Sequence, residues 1–206
     1  MNGLYPNFVA HCRLPRQIVN RALLSVRHEE DLDNLLRLSP VAFGFCVNGT
    51  FFLQDSYLLN YEIGPNLKIE SENHISKCVI INDGQKENKK DDECDVVLNY
   101  LVHYNHYERL NTHIIQQKSL DSTYSRWKRG QEIGEIFTIH DALHLLGDNE
   151  NESFPIFRVP SETDSNSVTL CTAHFNFHTL QLGIYQHNPK DNTHPTLIYN
   201  LTDLFV

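Results

Sequence analysis

The chemistry this 206-residue sequence offers starts with two histidines four positions apart, His140 and His144. They lie in Ile133 to Gly147, which reads I-G-E-I-F-T-I-H-D-A-L-H-L-L-G. Thr138 followed three residues later by Asp141 is a capping box, so the spacing predicts a helix beginning near Ile139. Gly147, ahead of Asp148 and Asn149, marks its end. Residues four apart on a helix stand above one another, so both imidazoles share a face, with an acid beside the first. H-D-A-L-H is similar to the H-E-x-x-H zinc helix, whose acid serves as general base. A catalytic zinc takes three protein ligands, and the place six residues after His144 holds Glu150. Asp141 also has a capping role already. The two-imidazole reading therefore stands ahead of the metal reading.

Other chemical residues are more scattered. Trp127 among Arg126, Lys128 and Arg129 offers a ring to stack on and charges for an anion, so Trp127, Lys128 and Arg129 are candidate ligand-binding residues. The bland alternative for a lone Trp is packing. His74-Ile75-Ser76 and His194-Pro195-Thr196 match the H-x-[ST] triplet of two-histidine phosphodiesterases, yet Pro195 sits badly inside a central strand. Five cysteines, with no C-x-x-C pair, suit neither a zinc ribbon nor a disulfide framework and read as reduced thiols.

The elements that position these residues read as mostly β. Ile133, Glu135 and Phe137 alternate like a strand ahead of the helix. Val41 to Leu59 holds the alternating Phe43, Phe45 and Val47, then Asn48-Gly49, the strongest hairpin dipeptide, with Thr50 to Leu53 returning. Glu29 to Asn34 reads as an acidic turn. Cys78 to Ile81 reads as a buried strand, and residues 82–95 as a solvated, mixed-charge loop. Val96 to Ile115 favours strands, with Val96 to Tyr104 open to a helix. Further strands are expected at Ile156 to Val159, Val168 to Phe177, Leu180 to Tyr185 and Leu197 to Leu201. The expected architecture is one α+β domain, mostly β with short helices around a barrel or sandwich core. It would be divisible into β lobes at about 1–81 and 96–206. A net charge of −9 argues against a nucleic-acid-coating surface, and no apolar run is long enough for a membrane span. With no signal peptide in the opening residues, the expected setting is the cytoplasm.

Leu4-Tyr5-Pro6-Asn7, Leu14-Pro15, Val19-Asn20 and Leu24-Ser25-Val26 resemble the start of the poxin family. These are the cyclic-GMP-AMP nucleases of poxviruses, baculoviruses and some Lepidoptera. The similarity continues through Glu30-Asp31, Leu35-Leu36, Phe43-x-Phe45-x-Val47, Trp127, Gly134 to Leu143 and Pro195 to Tyr199. The resemblance implies a chymotrypsin-protease-like β fold, a homodimer in the host cytoplasm, and cofactor-free cleavage of 2′,3′-cGAMP. Carried across, the family's catalytic His, Tyr and Lys fall on Gly3, His140 and His144, and a late Arg falls on Gly183. Glycine exchanges no proton, and a neutral His does not replace a fixed positive charge at a phosphate. The resemblance thus implies a catalytically degenerate viral protein that binds a cyclic dinucleotide or a protein partner in immune evasion. The alternatives are a phosphodiesterase rewired around His140 and His144, with His11 on the opposite side of phosphorus, and a zinc hydrolase built on H-D-A-L-H.

Overall fold

The computed structural model describes residues 4–6, 14–38, 41–42, 44–51, 57–65, 73–81, 93–95, 100–110, 115–117, 121–160 and 168–202. The chain divides into two compact units, Met1–Asp121 and Ser122–Val206.

In the first unit a short strand, β1 (Leu4–Pro6), pairs antiparallel with β6 (Ile115–Gln117). Helices α1 (Arg16–Leu23) and α2 (Glu29–Leu38) follow β1. Glu29, Glu30 and Asp31 occupy the first turn of α2, where their charges complement the exposed N–H groups of a helix start. The acidic stretch expected to be a turn is therefore a helix N-terminus. Strands β2 (Phe45–Gly49), β3 (Tyr57–Gly64), β4 (His74–Ile81) and β5 (Glu93–Asp95) form one sheet in that order. The first three run antiparallel, and β5 joins β4 in parallel.

The expected Asn48-Gly49 turn is corrected by this register. Both residues lie inside β2, opposite Asn60 and Leu59 of a strand that begins at Tyr57, while Phe52 and Leu53 of the expected return lie outside the described residues. Pairing with the long apolar alternation of β3 outweighs the local turn preference, and the Asn60 amide donates to the Asn48 side chain across the ladder.

One face of this sheet is the core. Leu59, Tyr61 and Ile63 pack with Val19, Leu32, Leu36, Val41, Phe45 and Val79 beneath the two helices. Leu36 is 1% exposed, so truncating it to Ala would cost about 2–5 kcal/mol. Polar groups fasten α2 to the same face. Lys77 Nζ lies 2.5 Å from Glu29 and 3.1 Å from Asp33. The Tyr61 hydroxyl donates to Asp33 and that of Tyr57 to Glu29. Burial alone would lower the pKa of Lys77, but its hydrogen bonds to Glu29 and Asp33 outweigh that and raise it.

The opposite face is polar. The pairing puts Cys46, Glu62 and Ser76 in one cross-strand row, and Asn48, Asn60 and Cys78 in the next. Yet Glu62 is 1% and Asn60 2% exposed. A buried polar face must be covered by something that hydrogen-bonds to it. Residues 108–110 do this at Glu62, and 100–110 have no regular secondary structure, so the strands or helix expected across them are absent there.

The second unit contains most of α3 (Asp121–Ile133), then α4 (Ile139–Leu146) and an antiparallel sheet of β7 (Thr172–Asn176), β8 (Gln181–Tyr185) and β9 (Leu197–Asn200). The capping box forms as expected, with Thr138 and Asp141 bonding reciprocally across the start of α4. Ile133 to Phe137 is not a strand. Helix α3 runs through Ile133, and Gly134 at φ +95° turns the chain toward α4. Ile156 to Val159 is not a strand either, and Phe157 N–H instead donates to Asp148 C=O at 2.8 Å. Among the described residues no sheet closes on itself. The α+β class with short helices holds, while the chymotrypsin-like barrel is not shown. No described helix is long and apolar enough to cross a membrane.

Candidate functional site

The segment that covers the polar sheet face is held by side chains of the sheet itself. Strand β3 is bonded on both sides, so Glu62 projects from a rigid backbone. Its carboxylate accepts the backbone N–H of Glu108 at 2.8 Å, Arg109 at 2.9 Å and Leu110 at 2.6 Å. The guanidinium of Arg109 stands 3.7 Å from the same carboxylate. Next to Glu62, the carbonyl of Ile63 accepts the hydroxyl of Tyr107, a residue that packs with Cys46 and Leu110. Asn60 Oδ1 and the Nε and Nη2 of Arg109 are buried with no hydrogen-bond partner among the described residues.

On this floor sits His103-Tyr104-Asn105-His106-Tyr107. Tyr107 is buried, His103, Tyr104 and His106 are half-buried, and Asn105 is exposed. The Tyr104 and His106 rings stack with centroids 6.4 Å apart, and His106 Nε2 lies 3.5 Å from Glu108. Burial lowers the pKa of His103, against an opposing pull from Glu62, with His106 and Arg109 adding to the lowering. That disfavours the imidazolium form. Burial, then Glu108 and Tyr100, push the Tyr104 hydroxyl up to about 12. The segment thus presents two imidazoles and a carboxamide from a pinned backbone. Such groups donate hydrogen bonds and exchange protons without a metal.

The sequence reading of Val96 to Ile115 as strands, with Val96 to Tyr104 open to a helix, gave no role to His103, Asn105 or His106, nor to Glu62 and Arg109. The available signal was Asn60 and Glu62 at alternate positions in the otherwise apolar run from Tyr57 to Ile63. Two polar residues on one face of a central strand demand partners from elsewhere.

His140 and His144 share α4 as expected and line an open groove of about 420 Å³ with Arg129, Glu132, Ile133, Glu135 and Asp141. Asp141 is occupied by the helix start. It accepts from the N–H groups of Phe137 at 3.1 Å and Thr138 at 2.9 Å, and the Thr138 hydroxyl is the largest cause of its lowered pKa. Among the described residues no group of three or more His, Cys, Asp or Glu is placed to hold a metal ion, so the zinc-hydrolase reading has no ligand set there. Trp127 stacks on Tyr124 with centroids 5.3 Å apart, Lys128 is exposed, and Arg129 is bound to Asp148. His11 lies outside the described residues. His74 and His194 fall in different units. Cys46 (half-buried), Cys78 (buried) and Cys171 (exposed) form no disulfide among the described residues.

A family model described as acyl-coenzyme A:6-aminopenicillanic acid acyl-transferase matches residues 10–191. The chain is also similar to the beta-alanyl-dopamine/carcinine hydrolase of Drosophila melanogaster, at 22% identity over 195 residues. That match covers 93% of this chain and 46% of the relative, so the chain spans about half the relative's length. These findings overturn the poxin resemblance, and with it the cGAMP nuclease, whether degenerate or rewired, and the viral immune-evasion role. The short apolar patterns behind that resemblance report strand and helix periodicity, which unrelated folds share. The acyl-transferase match instead runs through almost the whole chain.

Proposed function

The chain belongs to the acyl-coenzyme A:6-aminopenicillanic acid acyl-transferase family, and from that premise we propose that it acts on an acyl–nitrogen linkage, passing the acyl group to water or to an amine. The name of the Drosophila relative supports a β-alanyl amide as the substrate class. Attack on an amide carbonyl creates an oxyanion that needs hydrogen-bond donors, and the departing amine needs a proton. In this reading the Asn105 carboxamide donates to the oxyanion, and His103 and His106 take the proton from the attacking water or amine and deliver one to the departing amine. The observation that carries the reading is the H-Y-N-H-Y segment itself, with Asn105 exposed and the backbone just after it held by Glu62. Donors held in place before reaction cost no reorganisation during it.

The test is to incubate the purified chain with β-alanyl-dopamine and follow free dopamine by chromatography, while the His103 and His106 ring signals are watched by NMR. Dopamine release, with those signals shifted by substrate, is the expected result. No release together with unmoved ring signals sinks the reading. His140 and His144 form a subsidiary proposal. Their groove carries Glu135 beside the Arg129–Glu132 pair, and a carboxylate suits an ammonium group. A KM unchanged by His140→Ala would remove it.

A further inference from the structure

We propose that Glu62 is the positioning residue of this site: its buried carboxylate holds His103 to Leu110 in the one backbone shape that presents Asn105 and His106. The catalytic consequence rests on the acyl-transfer reading, whereas the structural part stands without it.

Three successive backbone N–H groups, from Glu108, Arg109 and Leu110, converge on the two oxygens of Glu62 at 2.6–2.9 Å. Consecutive N–H groups aimed at one anion make a concave nest, a conformation that irregular chain adopts when an anion fills it. Here the protein's own carboxylate is that anion. An ionised carboxylate suits the place because it only accepts, with about four lone-pair directions. An amide would turn a donor toward at least one of the three N–H groups. The charge is countered by Arg109, 3.7 Å away, and shielded by near-complete burial of Glu62. The second anchor is Tyr107, whose hydroxyl reaches the carbonyl of Ile63, the residue after Glu62. Two neighbouring residues of a central strand therefore fix both the nest and the position just before it. Asn105 and His106 immediately precede Tyr107, so their freedom is restricted from one side by rigid sheet.

Two things distinguish this from an ordinary buried contact. Glu62 lies on the face opposite the apolar core, so its loss leaves Leu59, Tyr61 and Ile63 packed as before. It also acts electrostatically on His103. Removing the charge removes a pull that favours the imidazolium, so His103 should titrate at a lower pH.

The experiment compares Glu62→Gln and Glu62→Asp with the parent chain by amide hydrogen exchange and by NMR titration of His103. In Glu62→Gln the amides of residues 108–110 should lose protection and the His103 midpoint should fall. In Glu62→Asp, which keeps the charge but is one methylene shorter, protection should fall while the midpoint moves less. With β-alanyl-dopamine, Glu62→Gln should lower kcat by roughly tenfold or more at nearly unchanged KM, because a misplaced donor weakens the transition state and not substrate binding. Protection and midpoint both unchanged in Glu62→Gln would overturn the proposal. If Glu62→Gln does not fold, full protection of these amides in Glu62→Asp would overturn it equally. Altered exchange and titration, with no turnover by any form, would support the positioning role and defeat the acyl-transfer reading instead.

Discussion

Arg129 grips Asp148 side-on, with Nε 3.0 Å from one carboxylate oxygen and Nη2 2.9 Å from the other. Asp148 is fully buried and Arg129 is a quarter exposed, so the guanidinium carries a buried charge pair at the end of α4. Asp148 also receives Phe157 N–H on its carbonyl, which ties the connection after α4 into the same knot. Replacing Arg129 by Leu leaves a buried carboxylate whose remaining cation among the described residues is Lys190, 3.9 Å away. Thermal and urea unfolding should show a loss of about 3–5 kcal/mol. Glu132→Gln, which removes the exposed partner of the same arginine, should cost less than about 1 kcal/mol. Equal costs for the two variants would show that burial does not decide the strength of this pair.

The same pair sets an acid limb. The hydrogen bond from Arg129 is the largest cause holding the Asp148 carboxyl below its ordinary range. A depressed carboxylate contributes stability that is fully present above its unfolded value, about pH 4, and is lost as pH falls through the lower folded value. Stability of the parent chain should therefore fall through that acid window. Arg129→Leu should lose a component of that slope, measured by urea midpoints from pH 6 to pH 2. An identical acid slope in both proteins would contradict the assignment.

Gly147 is required by crowding and not by backbone angle. Its φ of −93° is open to any residue. A Cβ there would fall 2.2 Å from Asn188 Oδ1, 2.5 Å from Lys190 Cβ and 2.6 Å from Lys190 N. Asn188 approaches so closely because its amide donates to the Gly147 carbonyl at 2.9 Å. Gly147→Ala should lower stability by about 1–3 kcal/mol, as overpacking does. Gly49→Ala, whose new methyl would meet nothing within 4 Å, is the matched control and should be close to neutral. A neutral Gly147→Ala would mean that the 188–190 turn yields without cost.

What the sequence alone disclosed was local. The Thr138 and Asp141 capping box is decided within four residues, and the structure contains it. Strands near β7, β8 and β9 were readable because alternation and flanking turns are also local. Two failures had long-range causes. Asn48-Gly49 prefers a turn in isolation, but pairing with β3 across the sheet overrides it. Residues 100–110 have no periodic identity of their own, and the backbone N–H groups of 108–110 bond to Glu62, more than forty positions earlier. The spacing of His140 and His144 is visible along the chain. The His103 to Tyr107 segment stands out only once its floor is known.

The central claim is that this segment stabilises the transition state of acyl transfer. It is tested most directly by measuring kcat and KM for amine release from a β-alanyl amide with the parent chain and Asn105→Ala. Asn105 is exposed, so the substitution should leave the unfolding temperature unchanged and any change in rate belongs to the site. The account predicts a fall in kcat of about a hundredfold or more, the usual consequence of removing one oxyanion donor, with KM little altered. A folded Asn105→Ala with the parent's kcat would contradict it.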